Sequence, residues 1–296
     1  MLIINPYSGR RLSKAALGTV VSQLGNDGWA VTVYFAGQYS IEELAYEFSK
    51  HYEVCVCAGG DGTLSHTVSG LLRAGAPVPV GYIPAGTAND VAATLALSKD
   101  PAAAAQTITE GRPIPLDIGS FTGTGADSSR GRNFVYIAAF GAFTGVSYST
   151  PQNAKRALGH FAYILGGLAE MKSITARRAV VELDGNVIEG NFIFGGVVNS
   201  TSVAGLVKLK PEHVDLADGL FEVILVKQPL SLADFLDIMT SIANRSYKGD
   251  NVQMIQAKSV KFTFDGDVAW TIDGEDGGLH REVEISNRHE AIRIIV

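Results

Sequence analysis

The sequence predicts two domains, an α/β domain built on a mostly parallel sheet and then a β-sandwich-like domain, and three observations carry that prediction. Short apolar runs alternate with amphipathic segments through the first hundred positions, the pattern of a parallel sheet covered by helices on both faces. Past Pro101 the period shortens towards strict alternation, which suits strands with one wet face. The chain has 296 residues, 46% of them hydrophobic, enough to bury two cores.

In chain order, "MLIINP" reads as a buried strand and "KAALGTVVSQLGNDG" as an amphipathic helix stopped by glycine. "AVTVYFA" is a second strand. "SIEELAYEFSK" is a helix with Ser40 as cap and Glu43 three residues on, a capping box. "YEVCVCAG", "TLSHTVSGLLRAG", "VPVGYIPAG" and "TANDVAATLAL" then read strand, helix, strand, helix. A short helix, "PAAAAQTITE", leads through a proline-rich turn into "PLDIGSF", "FTGTGADSSRGR" reads as a polar hairpin tip, and "NFVYIAAFG" is a strand. "GHFAYILGGLAEM" forms the helical centre of 142–171. Strands dominate afterwards: "TARRAVVELDG", "NVIEGNFIFGGVVNS", "GLFEVILVK", "VQMIQAKSVKFTFDG", "VAWTIDGE", "LHREVEISN" and "EAIRIIV", with one helix, "LSLADFLDIMTSI". We place the first domain at 1–117 and the second at 118–284, with 285–296 a candidate to return to the first.

The formal net charge of -6 argues against a general nucleic-acid partner, which needs a positive field. Cys55 and Cys57 share one face of an apolar strand and read as buried thiols of a reducing compartment. The start "MLIINPYSGRR" has no leader pattern, and no apolar run reaches eighteen residues. The expectation is a cytoplasmic protein, peripheral at the inner face of a membrane.

Chemistry is expected where the strands of the parallel sheet end. Three turns rich in Gly or Asn fall there: "NPYSG" (5–9), "GGDGT" (59–63) and "PAGTAND" (84–90). Glycines let backbone approach a ligand, and amides at a helix start cradle anions. Thr63 adds a hydroxyl donor. Asp61 is the anomaly, since a carboxylate repels phosphate unless it holds Mg²⁺, accepts hydrogen bonds or acts as a base. Neither GxxxxGK[ST] nor G-x-G-x-x-G occurs at these positions.

"NPYSG", "GGDGTL" (59–64), "PAGTANDVA" (84–92), "PLDIG" (115–119), "DGLFEV" (218–223) and "TIDGE" (271–275) resemble, in order, the motifs of the bacterial diacylglycerol-kinase-like lipid kinases, within the diacylglycerol/NAD kinase superfamily. The resemblance spans almost the whole chain. It implies ATP bound between two domains and a phosphoryl group passed to a lipid hydroxyl, diacylglycerol becoming phosphatidic acid. It implies nucleotide contacts from Asn5, Pro6, Tyr7, Ser8 and Gly9, from Gly59, Gly60, Asp61, Gly62, Thr63, Leu64, Ser65 and His66, and from Thr87. Asp273 resembles the general base, with Glu275 a nearby acidic site residue. Asp218 resembles a Mg²⁺ ligand outside the reaction centre, assisted by backbone carbonyls near Asp215 and Leu220. A catalytic Mg²⁺ held by phosphates and carboxylates such as Asp61 follows from phosphoryl-transfer chemistry in general.

The sequence departs from the family pattern in two places. Ser65 and His66 stand where the family carries an amide and a glutamate, and Phe143-Thr144 replaces a Phe-Asp pair. Phe140, Phe143, Phe161, Tyr163, Ile164 and Leu165 are candidates for an apolar acceptor groove. Lys155, Arg156, Arg177, Arg178, Lys208 and Lys210 are candidates for a basic face against anionic lipid. Asp117 is a candidate to reach the cleft. Other readings stay open: an NAD kinase, a sphingoid-base or other small-molecule kinase on the same scaffold, and a non-catalytic lipid-binding relative. A homodimer through an edge strand of the second domain is compatible with all of them.

Overall fold

The computed structural model describes residues 1–9, 12–76, 78–126, 131–141, 175–203, 207–210 and 214–296. The segments read as a polar hairpin tip and as the helix "GHFAYILGGLAEM" lie wholly or partly outside these residues, as do Phe143, Phe161, Tyr163, Ile164, Leu165, Lys155 and Arg156. The chain divides into two compact units, Met1–Ile118 with His289–Val296, and Gly119–Arg288.

In the first unit β1 (Leu2–Ile4), β2 (Val33–Phe35), β3 (Cys55–Gly59) and β4 (Val80–Pro84) pair in parallel in the order β2-β1-β3-β4. Each buried strand is a continuous apolar run, as a sheet covered on both faces requires. The covering helices are α1 (Lys14–Asn26), α2 (Ile41–Phe48), α3 (Asp61–Ala74), the short α4 (Asp90–Thr94) and α5 (Pro101–Glu110). The capping box at Ser40 and Glu43 is present, and Gly75 ends α3 at φ 61. Leu2, Ile4, Val20, Leu24, Val56, Ile83, Ile108 and Ile295 form one core, each such side chain contributing roughly 1.5–3 kcal/mol on burial.

Two boundaries differ from the sequence reading. The third helix begins at Asp61 rather than Thr63, because a carboxylate suits a helix start. The fourth is five residues long rather than the span of "TANDVAATLAL", because Asn89 takes a left-handed φ of 54 and Ala96 one of 55.

Cys55 and Cys57 are free and fully buried in β3. Burial pushes the Cys55 thiol up to about 12 and that of Cys57 higher still, so almost no thiolate exists at neutral pH. Native protein at pH 8 should therefore resist a thiol reagent that titrates both cysteines after denaturation. Fast labelling of either thiol in the native state would contradict this burial.

The second unit contains β5 (Pro113–Thr124, which begins in the first), β6 (Arg132–Phe134), β7 (Ile137–Gly141), β8 (Arg177–Leu183), β9 (Asn186–Val198), β10 (Ser202–Val203), β11 (Val207–Lys208), β12 (Phe221–Lys227), helix α6 (Leu232–Asn244), β13 (Val252–Ala257), β14 (Ser259–Ile272) and β15 (Glu275–Ile295, which ends in the first). Antiparallel pairing runs β13-β12-β9-β7-β14-β15, and β8 pairs with both β9 and β14. Thus along one edge β9 and β14 each pass two partners, β8 along one stretch and β7 along another, while the other edge pairs with β12 and β15 respectively. Trp270, Phe140, Phe262 and Phe264 meet in the core, with Phe140 and Trp270 centroids 5.1 Å apart. Phe140 is therefore core rather than groove. "VQMIQAKSVKFTFDG" is two strands separated at Lys258, and "LHREVEISN" with "EAIRIIV" forms one continuous strand.

Candidate functional site

The three glycine-bearing turns of the first unit interlock. Gly60 and Gly86 approach backbone to backbone, such that a Cβ on Gly60 would lie 3.1 Å from the Gly86 Cα. A Cβ on Gly59 would fall on the Thr63 side chain, and one on Gly9 would lie 2.6 Å from Thr87 Oγ1. These are positions where only glycine lets the chain pass.

Polar contacts complete the assembly. Asn5 Nδ2 donates to Thr63 Oγ1 at 3.0 Å, while Asn5 Oδ1 accepts the Tyr7 amide at 2.9 Å. Ser8 Oγ donates to the Asn5 carbonyl at 3.1 Å, Pro6 is half-buried, and Tyr7 is 77% exposed. Asn89 Oδ1 accepts the Gly86 amide and its Nδ2 donates to the Gly86 carbonyl, both at 2.9 Å. The Tyr82 hydroxyl donates to Asn89 Oδ1 at 3.3 Å, and burial first, then the charge of Asp61, keeps that phenol protonated.

Of the three duties left open for Asp61, accepting hydrogen bonds is the one its contacts display. Its Oδ2 accepts the Asp90 amide at 3.0 Å and its Oδ1 the Val91 amide at 3.2 Å. The carboxylate at the start of α3 thereby caps the start of α4, and it is buried. Asn89 is the residue the sequence reading missed; its left-handed backbone and paired amide bonds set the third turn, and an Asn before a short helix was the available signal.

Leu64, expected among the nucleotide contacts, packs inward. Its side chain is wholly buried and its amide donates to the Gly60 carbonyl at 3.1 Å, so it offers no donor to a ligand. Ser65 is buried one residue on, and His66 is half-buried. Gly62 and Thr63 lie in the first turn of α3, where the helix presents its positive end.

Asp117 is fully buried in the first unit; its Oδ1 accepts the Glu290 amide at 2.7 Å and lies 3.1 Å from His289 Nδ1. It fastens β5 to β15, including the left-handed Glu290 at φ 46.

In the second unit Asp273 and Gly274 form the two-residue turn between β14 and β15, at φ 49 and φ 80. Asp273 is the residue expected as the general base. Its carboxylate accepts three backbone amides, Val135 at 2.7 Å and Tyr136 and Ile137 at 3.0 Å, and the residue is 4% exposed. Glu275 follows the turn with 43% of its side chain exposed, and its Oε2 lies 3.5 Å from Arg132 Nη2. Arg132 was not singled out in the sequence, where "RGRNF" gave only an exposed polar stretch.

The expected metal residues lie in one turn before β12. Asp215 Oδ1 accepts the Ala217 amide at 3.1 Å, Asp218 Oδ1 accepts the Leu220 amide at 2.9 Å, and the Leu220 carbonyl accepts from Asn287 Nδ2 at 3.3 Å. Among the described residues no group of three His, Cys, Asp or Glu side chains converges as a ready-made metal site. An oxygen-only donor set nonetheless suits a hard cation. Glu222, two residues on, is buried; Oε1 accepts from Gln256 Nε2 at 3.2 Å and Oε2 has no partner among the described residues.

Burial, with Asp218 and Asp215 adding to it against the Gln256 hydrogen bond, raises the Glu222 carboxyl from 4.5 to about 7. The folded state then binds this proton more tightly than the unfolded chain. Its stabilising contribution is complete below pH 4.5 and is lost as pH rises through about 7, a loss of roughly 3 kcal/mol. In metal-free buffer, urea unfolding of Glu222→Gln should show a flatter pH dependence and a higher stability at pH 8 than the unmodified chain. Identical profiles would show that Glu222 does not titrate in this window.

Comparison with known proteins fits this arrangement. Residues 1–121 match the diacylglycerol kinase catalytic domain, and residues 141–296 match the YegS C-terminal NAD kinase beta sandwich-like domain. A diacylglycerol kinase of Staphylococcus aureus (strain JH9) is 34% identical over 284 residues, covering 94% of this chain and 86% of that protein. A diacylglycerol kinase structure from Bacillus anthracis str. Sterne superposes with a TM-score of 0.73 at 20% identity, covering 99% of this chain and 95% of that one. A yeast NADH kinase complexed with NADH has the same fold at a TM-score of 0.51 and 12% identity, covering 99% and 82%. By the match of both domains and by its identity to the Staphylococcus aureus protein, the chain belongs to the diacylglycerol-kinase-like family of phosphotransferases.

Proposed function

We propose that the chain is an ATP-dependent lipid kinase that transfers the γ-phosphoryl group to the hydroxyl of diacylglycerol, yielding phosphatidic acid. The observation that carries this reading is the interlocked set of turns at Asn5–Gly9, Gly59–Thr63 and Gly86–Asp90, a cradle that added Cβ atoms would fill. The acceptor class rests on the relative named a diacylglycerol kinase.

Thr63, held by Asn5, and Thr87, against Gly9, supply hydroxyls to the phosphates, with the α3 amides of Gly62 and Thr63. Tyr7, Ser8 and Pro6 bound the nucleotide, and His66 faces it from the half-buried side of α3. When bound, Mg²⁺ would offset charge on the transferring group; Asp218, with carbonyls near Asp215 and Leu220, would hold a second, structural ion.

We assign the general base to Glu275. A base must reach the proton it removes. The exposed Glu275 meets that condition, whereas three amides and burial tie Asp273 to the 135–137 segment. Glu275 takes the hydroxyl proton as the acceptor oxygen bonds to the γ-phosphorus and the bond to the leaving ADP oxygen breaks. Arg132 orients the carboxylate, and Asp273 fixes the turn from which it projects.

The test is incubation of the full chain with labelled ATP, Mg²⁺ and vesicles containing diacylglycerol, beside parallel reactions with NAD and a sphingoid base. Label on phosphatidic acid is expected. Label on NAD or on the sphingoid base alone would replace the lipid assignment. Because its proposed acceptor resides in a membrane, we place the enzyme at the membrane periphery, facing the cytoplasm; no helix among the described residues is long and apolar enough to cross a membrane.

A further inference from the structure

We propose that the outward face of α6 is the contact by which two copies of this chain associate, the helices packing antiparallel about a two-fold axis. The helix is apolar on two sides. Phe235, Ile238 and Ser241 pack inward. On the other side Leu232, Leu236, Met239 and Ala243 recur at intervals of four, three and four, the spacing of a seam between helices rather than of a wet surface. Leu232 is 49% exposed and Leu236 55%, and Leu230, just before the helix, is 86% exposed.

Fraying does not account for that exposure. The capping box of Ser231 and Asp234 is closed, and the Leu230 amide also donates to Asp234 Oδ2 at 3.0 Å. An apolar residue just before the cap ordinarily packs against the fourth residue of the helix, here Phe235. Leu230 stays in solvent instead and adds to the apolar surface at that end.

The seam is complementary to itself. In an antiparallel pair centred between Leu236 and Met239, Leu232 of each copy meets Ala243 of the other, and Leu236 meets Met239. Large thus faces small at both ends, and the contact is the same read from either copy. Ala233 and Thr240, exposed on its flank, are small enough for the axes to approach to about 8–10 Å. Charge selects the orientation. Between 230 and 245 the charged residues are Asp234 and Asp237 in the first half and Arg245 at the C-terminal cap. Antiparallel packing sets the acidic half of each helix towards the basic end of the other and opposes the helix dipoles, whereas parallel packing sets like beside like. The same acids, in a chain of net charge -6, disfavour an anionic bilayer as the occupant. The edge of β13 in the same unit is already engaged, with the Met254 amide donating to the Tyr247 carbonyl at 2.8 Å and Lys248 bridging Gln253. A seam of 13 residues is about 20 Å long and buries on the order of 1,000 Å² over both copies, the low end of specific interfaces. Association is therefore expected at micromolar concentration. None of these residues belongs to the machinery of the proposed kinase reaction.

The test is sedimentation of full-length protein from about 1 to about 100 µM, without ATP or lipid. The unmodified chain is expected to pass from monomer to dimer across this range. Leu236→Asp should weaken dimerisation at least about thirtyfold while leaving the melting temperature of the monomer unchanged, since the side chain it replaces is exposed. Orientation is read by cross-linking. Leu232→Cys combined with Ala243→Cys should give a disulfide-linked dimer under mild oxidation, and neither single variant should; the native Cys55 and Cys57 are buried and stay out of the reaction. A chain that remains monomeric at the top of the range, a Leu236→Asp variant that dimerises like the unmodified chain, or a covalent dimer from Leu232→Cys alone overturns the proposal. So does a monomer whose binding to phosphatidylcholine vesicles is abolished by Leu236→Asp, which would make a bilayer the occupant.

Discussion

Glu275→Gln is expected to lower phosphoryl transfer at least about a hundredfold, the ordinary scale for loss of a general base, without weakening nucleotide binding. Glutamine keeps the length of the side chain and can still approach Arg132, but it cannot accept the acceptor's proton. The Glu275–Arg132 pair is surface-exposed, so its loss should change stability by less than about 1 kcal/mol. Asp273→Asn should behave in the opposite manner. An asparagine presents an NH₂ where Val135, Tyr136 and Ile137 direct three amide donors, so hydrogen bonds to a charged group are lost. Those bonds contribute about 1.5–3 kcal/mol each, and unfolding should shift well before any kinetic effect is isolated. Steady-state kinetics with saturating lipid, read beside thermal melts of both variants, separates the two carboxylates. A fully folded but inactive Asp273→Asn, with Glu275→Gln near normal, would return the base to Asp273.

The two aspartates show where sequence stops being informative. Patterning identified the parallel strands, the capping box at Ser40 and the three turns, because buried runs, cap residues and glycines announce themselves locally. It could not identify what Asp61 and Asp273 bind, since their partners lie 29 and 136 or more positions away in sequence. "TIDGE" contains two carboxylates two residues apart; the motif alone does not say which one the turn consumes. Backbone geometry decides it, because a left-handed Asp-Gly pair turns the Asp273 carboxylate onto the 135–137 amides and sends Glu275 onward. Glu222 was missed for another reason. Its neighbours Phe221 and Val223 point into the core, so alternation predicts a wet face, yet Ile224 and Val226 on the same face as Glu222 are buried too, so both faces of β12 are covered.

Asp61→Ala is expected to destabilise the first unit by about 2–4 kcal/mol and to weaken nucleotide binding even without Mg²⁺. The reason is the pair of amides that Asp61 serves. Removing the carboxylate leaves the Asp90 and Val91 amides buried without it, and an unsatisfied buried donor costs about 1–3 kcal/mol. The start of α4 would then move off the start of α3, and the Gly60–Gly86 approach depends on that registry. Asp61→Asn keeps one carbonyl acceptor and should fall between the two. If Asp61 instead served only a bound metal, its removal would relieve a buried charge, stability would hold or rise, and the defect would appear only in Mg²⁺-dependent binding. Urea denaturation together with calorimetric titration of nucleotide in EDTA and in Mg²⁺ therefore distinguishes a carboxylate that builds the cradle from one that only holds the ion. The hydrogen bonds of 3.0 and 3.2 Å favour the former, and they explain how an acidic residue can stand in the proposed phosphate loop: its charge is stabilised by the amides of the next helix.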